Sequence, residues 1–318
     1  MNVIAADVGG TKTRFALADA DAPQQLLHEA RYDSREFDSF GPLLHAFLRD
    51  CGLQHEALGA LSLALPGVVD DQRARLTNLP WQLDKQELRR EFGVREVHFM
   101  NDFQASALGI AHLRADDMIA LNKGDAHQNE TRVVVGAGTG LGVAWLQGAG
   151  ADSRAYSSEG GHIDFAPVDE MQIELLRFLL ESYKHVSYER LLSGQGLVNL
   201  YVFCSGARES AIEPRQVSVE ADDGNEAAQR ALQLFVRIYG AYIANLALMY
   251  KPGGGVYITG GIGAKIQQWM QSADFISAYS NKGRMQPLVE RTAVFLVTNE
   301  RVGVIGAMAA AVKTQQVK

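Results

Sequence analysis

Val3-Ile4-Ala5-Ala6-Asp7-Val8-Gly9-Gly10-Thr11-Lys12-Thr13-Arg14-Phe15-Ala16-Leu17 is a pair of β-prone runs joined by a Gly-Gly-Thr turn. Short runs rich in Val, Ile, Thr and Phe, broken by glycine, predict a strand–turn–strand hairpin. The layout returns about half a chain later in Val133-Val134-Val135-Gly136-Ala137-Gly138-Thr139-Gly140-Leu141-Gly142-Val143-Ala144-Trp145. A third run, Val256-Tyr257-Ile258-Thr259-Gly260-Gly261-Ile262-Gly263, opens in the same way. Self-similarity at such a spacing predicts a duplicated α/β unit, each copy opening with a hairpin.

Outward from these hairpins, residues 58–65 and 96–100 read as further strands, ending at Pro66-Gly67 and Asn101-Asp102. Residues 103–113, 171–183 and 226–250 carry apolar side chains at helical spacing, the last stopped by Pro252-Gly253. Residues 304–312 form an Ala-rich helix candidate. Strands alternating with helices predict an α/β fold, and 318 residues are enough for two domains. We place the border at 110: a small α/β domain over 1–110, completed by a C-terminal helix at about 302–318, and a large one over 111–301.

Composition narrows the function. Hydrophobic residues make up 47% and charged ones 21%, outside the range of disordered chains. The net charge is −7 and no Lys/Arg cluster stands out, so no nucleic-acid partner is expected. Cys51 and Cys204 are far apart, in no metal-ligand spacing, which suits a reducing compartment. The N-terminus lacks the basic start and apolar run of an export signal. The weakly charged stretch 133–151 is broken by glycines, against a membrane helix. A cytoplasmic protein, without membrane or nucleic acid, is the expectation.

Glycines in a tight turn let several backbone N–H groups converge on an anion. A plain hairpin uses the same residues, so one such turn says little; two alike, with Gly260-Gly261, favour a phosphate-binding set. None has the G-x-x-x-x-G-K-[ST] spacing of a P-loop or the strand–helix setting of a dinucleotide motif. Asp7 stands where a carboxylate could meet the water shell of Mg²⁺, or could be a turn aspartate. Asp102, at a strand end, could be an ionised general base or merely the cap of the next helix. Glu159-Gly160-Gly161-His162 puts a carboxylate and an imidazole on one turn, apt for a polyol, for an exposed loop or, with more ligands, for zinc. Glu189 could simply complement a helix dipole.

In order along nearly the whole chain, Asp7-Val8-Gly9-Gly10-Thr11, Asn101-Asp102-Phe103, Gly136-Ala137-Gly138-Thr139-Gly140-Leu141-Gly142, Glu159-Gly160-Gly161-His162-Ile163-Asp164-Phe165-Ala166-Pro167, His185-Val186-Ser187-Tyr188-Glu189-Arg190 and Leu192-Ser193-Gly194-Gln195-Gly196-Leu197-Val198-Asn199-Leu200-Tyr201 resemble the bacterial ATP-dependent glucokinase family. The resemblance implies a two-lobed actin-like ATPase fold of ribonuclease H-like domains around a central cleft, with the lobes closing on sugar. It implies phosphorylation of the glucose 6-hydroxyl, with Asp102 as general base and Asn101, Glu159, His162 and Glu189 on the other hydroxyls. ATP with Mg²⁺ would lie on Ala6, Asp7, Val8, Gly9, Gly10 and Thr11, on Gly138 and Thr139, and on Gly260 and Gly261. No protein metal site is implied beyond a water-mediated contact of Asp7 with Mg²⁺. A homodimer is expected.

Ala6 and Lys12 stand where many members have Gly and Asn. The cysteine-rich zinc motif and N-terminal helix-turn-helix of the related repressor and kinase family are missing, and a first strand starting at Val3 leaves no room for a DNA-reading module. The rival readings are a kinase for an N-acetylated aminosugar, mannose or fructose, and a non-catalytic sugar-binding protein; a base at Asp102 argues against the last.

Overall fold

The structure is a computed structural model that describes residues 1–53, 58–127, 129–207 and 210–316. It divides into two compact units. One comprises Met1–Leu113, Ala149–Ser157 and Arg301–Lys318, the other Arg114–Gly148 and Ser158–Glu300. The sequence reading has no counterpart to the excursion at 149–157: the glycines around it resemble those of any loop. The last two residues of the helix expected over 302–318 lie outside the described residues.

The first unit starts with β1 (Asn2–Val8), β2 (Lys12–Asp19), β3 (Leu26–Asp33) and α1 (Phe40–Asp50). There follow β4 (Ala60–Leu65), the strands β5 (Gly67–Val69), β6 (Arg73–Leu76) and β7 (Gln82–Asp84), then α2 (Lys85–Phe92), β8 (Glu96–Asn101) and α3 (Asp102–Gly109). The main sheet runs β3-β2-β1-β4-β8. β1 and β2 are the expected antiparallel hairpin, with Val8 opposite Thr13, while β4 runs parallel to β1 and β8 parallel to β4. β5, β6 and β7 form a small antiparallel sheet that the sequence reading lacks.

Both faces of this sheet are covered, and the two-residue strand period sorts the side chains between them. Ile4, Phe15, Leu17, Leu63 and Trp81 pack with Leu43, Leu44 and Phe47 of α1. The Phe15 and Phe47 rings stack with centroids 4.7 Å apart, and burying each such side chain stabilises by about 1.5–3 kcal/mol. On the other face Val3, Ala5, Ala16 and Ala18 meet Val304, Ala307, Met308 and Ala311 of the C-terminal helix Val302–Gln316. That helix also crosses α3 at close range, the Gly306 backbone against Ala105 and Gly109 against Val302. Small residues on both sides let the backbones approach.

The second unit supplies β9 (Met118–Asn122), β10 (Arg132–Ala137) and β11 (Leu141–Gln147). After β12 (Arg154–Ser158), which lies mostly in the excursion back to the first unit, come α4 (Glu170–Leu180), α5 (Gly194–Ser205), α6 (Pro214–Asp222) and α7 (Glu226–Tyr250). The unit ends with β13 (Val256–Thr259), α8 (Gly261–Lys265), α9 (Gln267–Met270), α10 (Ala273–Ser280), α11 (Gln286–Glu290) and β14 (Val294–Val297). Its sheet runs β11-β10-β13-β14-β9. β10 and β11 form the second hairpin, Ala137 opposite Leu141, with β13 parallel to β10. The motif of the first unit is thus repeated: an antiparallel hairpin followed by parallel strands. The third glycine run makes no hairpin, since β13 passes through Gly260 directly into α8.

α7 is long and apolar enough to cross a membrane by length and composition, and its apolar character has another explanation. Leu232, Phe235, Tyr239 and Ile243 are buried against Val133, Val135 and Ile258 of the sheet, so the helix is the spine of the second unit's core. It stops at Lys251, in the left-handed conformation, just before Pro252.

Candidate active site

In the first unit, Ala6 and Val8 lie within β1 rather than in the turn. Both are buried in the core, and Ala6 pairs with Phe15 and Leu63. The strand alternation that sends them inward sends Asp7 to the opposite face, opposite Arg14 on β2. Burial pushes the Asp7 carboxyl up to about 6, against the lowering effect of Arg14. In the turn itself, the Gly9 N–H donates to Lys12 O at 2.9 Å, closing the hairpin. The Ser34 N–H donates to Thr11 O at 2.9 Å and its hydroxyl donates to Gly9 O at 2.8 Å, so both carbonyls are tied back. Among the described residues the N–H groups of Gly10 and Thr11 have no backbone acceptor, so they are the ones available to an anion. Lys12 opens β2 opposite Asp33.

At the end of β8, the Asn101 side chain accepts the N–H of Phe103 at 3.0 Å and of Gln104 at 3.3 Å. Asn101 is therefore the N-cap of α3, and Asp102 is the first residue of the helix, half-buried, its Oδ1 accepting the Phe103 N–H at 2.9 Å. The sequence alternative of Asp102 as the cap is thereby corrected: the cap is one residue earlier. With the Asn101 oxygen engaged, its amide N–H groups are what it can offer a ligand. An aspartate in the first turn of a helix is also favoured by the helix dipole.

In the second unit, Glu159, His162 and Glu189 are brought together. His162 Nε2 lies 3.8 Å from Glu159 Oε2 and 3.8 Å from Glu189 Oε2. The cause is a short antiparallel contact. The Phe165 N–H donates to Val186 O at 2.9 Å and the Tyr188 N–H to Ile163 O at 3.1 Å, which draws the 159–162 turn beside Glu189. Tyr242 of α7 supports the turn from the core, donating its hydroxyl to Gly160 O at 2.8 Å, with its ring against Tyr188 at 4.4 Å. Glu189 sits in a 3-10 turn, Tyr188–Arg190. Glu189 is half-buried, its side chain 28% exposed, where that of Glu159 is 90% exposed.

The second glycine turn is tighter than the first. The Gly138 N–H donates to Gly140 O at 2.8 Å, Gly194 N–H donates to Gly138 O at 2.8 Å, and Thr139 stands exposed at the tip. The Leu141 N–H donates to Glu189 Oε2 at 2.9 Å. Gly260, at φ 86°, leads into Gly261 at the start of α8, its Cα hydrogen side 2.5 Å from Ala137 O where a Cβ would stand. The third glycine run and the second turn are therefore neighbours.

Ser34 and Tyr242 were missed from sequence. Each acts through a contact with a residue far along the chain, and no local pattern marks it. No group of three or more His, Cys, Asp or Glu side chains that could hold a metal ion occurs among the described residues. A cavity of ≈ 320 Å³ in the second unit, lined by Asp169, Gln172, Arg237 and Asp274, contains none of these site residues. Its charges are internally engaged, Arg237 with Asp169 and Asp274 with Gln233.

Two sheets that each open with a glycine-turn hairpin, and acidic side chains gathered beside the turns, define a sugar kinase of the two-lobed actin-like ATPase fold. The family model for glucokinase matches residues 4–314, and the chain belongs to the glucokinase family. It is 36% identical to a glucokinase of Nostoc sp. (strain PCC 7120), over 96% of this chain and 97% of that protein. It is also 36% identical to one of Chromohalobacter salexigens, over 95% and 94%. The crystal structure of a glucokinase from an Antarctic psychrotroph superposes with a TM-score of 0.84 at 30% identity, covering 98% of both chains. A ROK family glucokinase from Streptomyces griseus, in complex with glucose and AMPPNP, shares the fold with a TM-score of 0.68 at 20% identity, over 96% and 98%. The enzyme catalyses ATP-dependent phosphorylation of glucose.

Proposed function

We propose that Asp102 is the general base for the glucose 6-hydroxyl and that Asn101, Glu159, His162 and Glu189 hold the remaining hydroxyls. Asp102 takes the hydroxyl proton as the oxygen attacks the γ-phosphorus; the bond to the β-phosphate oxygen breaks, ADP leaves, and the proton passes to solvent. Phosphoryl transfer needs little covalent help from the protein, so positioning and charge neutralisation carry it. The N–H groups of Gly10 and Thr11 in one unit and the Gly138–Gly140 turn in the other would hold the phosphates. Mg²⁺ would supply charge neutralisation at the β- and γ-oxygens. A single carboxylate, Asp7, suits such an ion, which keeps most of its waters and relies on the phosphates.

The observation that carries this reading is the convergence of Glu159, His162 and Glu189 beside a glycine turn, a set of donors and acceptors suited to a polyol. A coupled assay of ADP release tests it on glucose, mannose, fructose and N-acetylglucosamine. Glucose should give the highest kcat/KM; a higher value with another sugar would reassign the substrate. We further propose that the protein works as a cytoplasmic homodimer at the entry of glucose into glycolysis, which light scattering and cell fractionation would test.

A further inference from the structure

We propose that Glu189 serves the nucleotide as well as the sugar: its carboxylate holds the Gly138-Thr139-Gly140 turn in its phosphate-binding shape. The sugar side of this inference rests on the reading of Glu189 given above; the turn-holding side does not.

Five contacts carry it. Glu189 Oε2 accepts the Leu141 N–H at 2.9 Å, at the exit of the turn. The same oxygen stands 2.5 Å from where a Gly140 Cβ would be, so the carboxylate lies on the flank of the turn in space that any side chain at 140 would need. The segment after Glu189 makes a second link, the Gly194 N–H donating to Gly138 O at 2.8 Å. Ser193 makes that segment rigid, its hydroxyl donating to Glu189 O at 2.7 Å and accepting the Gly196 N–H at 3.0 Å. The turn is thus held at Gly138 by backbone and at Leu141 by the Glu189 side chain.

Leu141 is gripped from its other side as well, because the Gly161 backbone packs directly against Leu141 O. The turn that carries Glu159 and His162 and the turn that would carry phosphate therefore meet at one residue, Leu141. An ionised carboxylate has about four lone-pair positions, so Glu189 can keep the Leu141 N–H while accepting sugar hydroxyls. Such charge-assisted bonds are the stronger ones. A sugar that fixes Glu189 also fixes the turn, and by linkage a nucleotide on the turn raises affinity for the sugar by the same factor. A residue that only bound sugar would have no need to place its oxygen on Leu141.

The test is calorimetric titration of the full chain with Mg-AMPPNP, with and without saturating glucose, for wild type, Glu189→Ala, Glu189→Gln and His162→Ala. Without sugar, Glu189→Ala should bind the nucleotide about tenfold more weakly, within the usual span of coupling effects. Glu189→Gln, whose amide oxygen can still accept the Leu141 N–H, should recover most of that loss while its glucose affinity stays impaired. His162→Ala should lose glucose affinity and bind nucleotide like wild type. Glucose should tighten nucleotide binding in wild type and not in Glu189→Ala.

Nucleotide affinity of Glu189→Ala within twofold of wild type overturns the proposal, as does an equal loss in Glu189→Gln or His162→Ala. Should wild type take up no glucose while Glu189→Ala still loses nucleotide affinity, the sugar reading falls and the turn-holding role stands. The recovery in Glu189→Gln separates the role from simple misfolding of the alanine variant.

Discussion

The Asp7 carboxylate packs against the backbone of Gly303, at the start of the C-terminal helix, in the place where any other residue would carry its Cβ. The contact joins the strand before the first glycine turn to a helix almost three hundred residues away in sequence. It also explains the acidity of Asp7: burial at that junction costs the ionised form its hydration and pushes the carboxyl up to about 6. Arg14, opposite on β2, counters part of the effect. Glu29 bridges the region, accepting Arg14 at 2.8 Å and Arg301 at 2.8 Å.

A pH-dependent stability follows, with a sign opposite to that of a salt-bridged aspartate. Between pH 4 and 6 the folded state holds a proton on Asp7 that the unfolded chain has released, so stability falls as pH rises through that window. Asp7→Asn cannot ionise and escapes this loss. Relative to wild type it should gain up to about 3 kcal/mol above pH 7 and little at pH 4. Urea unfolding of both proteins at pH 4.5 and 7.5 checks this; an equal difference at the two pH values would show that Asp7 does not titrate in this range.

Gly303→Ala should act on the same contact from the other side. The added methyl meets the Asp7 carboxylate, and either the helix or the carboxylate must move. Overpacking of this kind costs about 1–3 kcal/mol. Thermal unfolding reads the cost, and Asp7→Gly combined with Gly303→Ala should recover part of it, whereas independent sites would give additive losses.

Asp102→Asn should lower kcat by about 10² to 10⁴, the usual scale for removing a general base. Glucose binding should persist, because the amide keeps the shape of the carboxyl and Asn101 still caps α3. Turnover by ADP release, set beside glucose titration, separates the two effects. Retention of more than a tenth of wild-type kcat removes Asp102 from the role.

Tyr242→Phe should raise the KM for glucose by several-fold and change kcat less. The phenol donates to Gly160 O, and burial pushes its acidity well out of the ordinary range, so the bond is present at every working pH. Its loss leaves the part-buried Gly160 carbonyl with the long Ile163 N–H bond of 3.4 Å, at a cost of about 0.5–1.5 kcal/mol shared between stability and the position of the 159–162 turn. An unchanged KM with lowered thermal stability would make Tyr242 a residue of the core alone.

Removal of divalent cations should abolish activity, and Mg²⁺ should restore it while Zn²⁺ at stoichiometric amounts does not. The phosphates want a hard, oxygen-ligated cation, and the described residues contain no zinc-type cluster. Metal analysis of the purified protein with an EDTA-treated activity assay decides it: stoichiometric zinc lost together with activity would contradict the reading.

The two hairpins were legible in the sequence because they are local: β-branched runs with a period of two, joined by glycines, fold the same way wherever they stand. α7 and the C-terminal helix were legible for the same reason, their apolar period and stop signals lying within one segment. The residue types at Asp7, Asn101, Asp102, Glu159 and His162 stood out because glycine turns and strand ends flanked them, whereas Glu189 entered through the family resemblance. What each of them touches was not. Whether Asn101 or Asp102 caps α3 depends on a one-residue offset in the backbone, and the Asp7 contact with Gly303 depends on the packing of a remote helix against β1. The grip of Glu189 on Leu141 joins residues 48 apart in sequence, and no local pattern distinguishes it from a helix-dipole carboxylate. Sequence sets which backbone shapes and side-chain chemistries are available; only tertiary packing selects which donor meets which acceptor, because that choice is made between segments that do not neighbour each other along the chain.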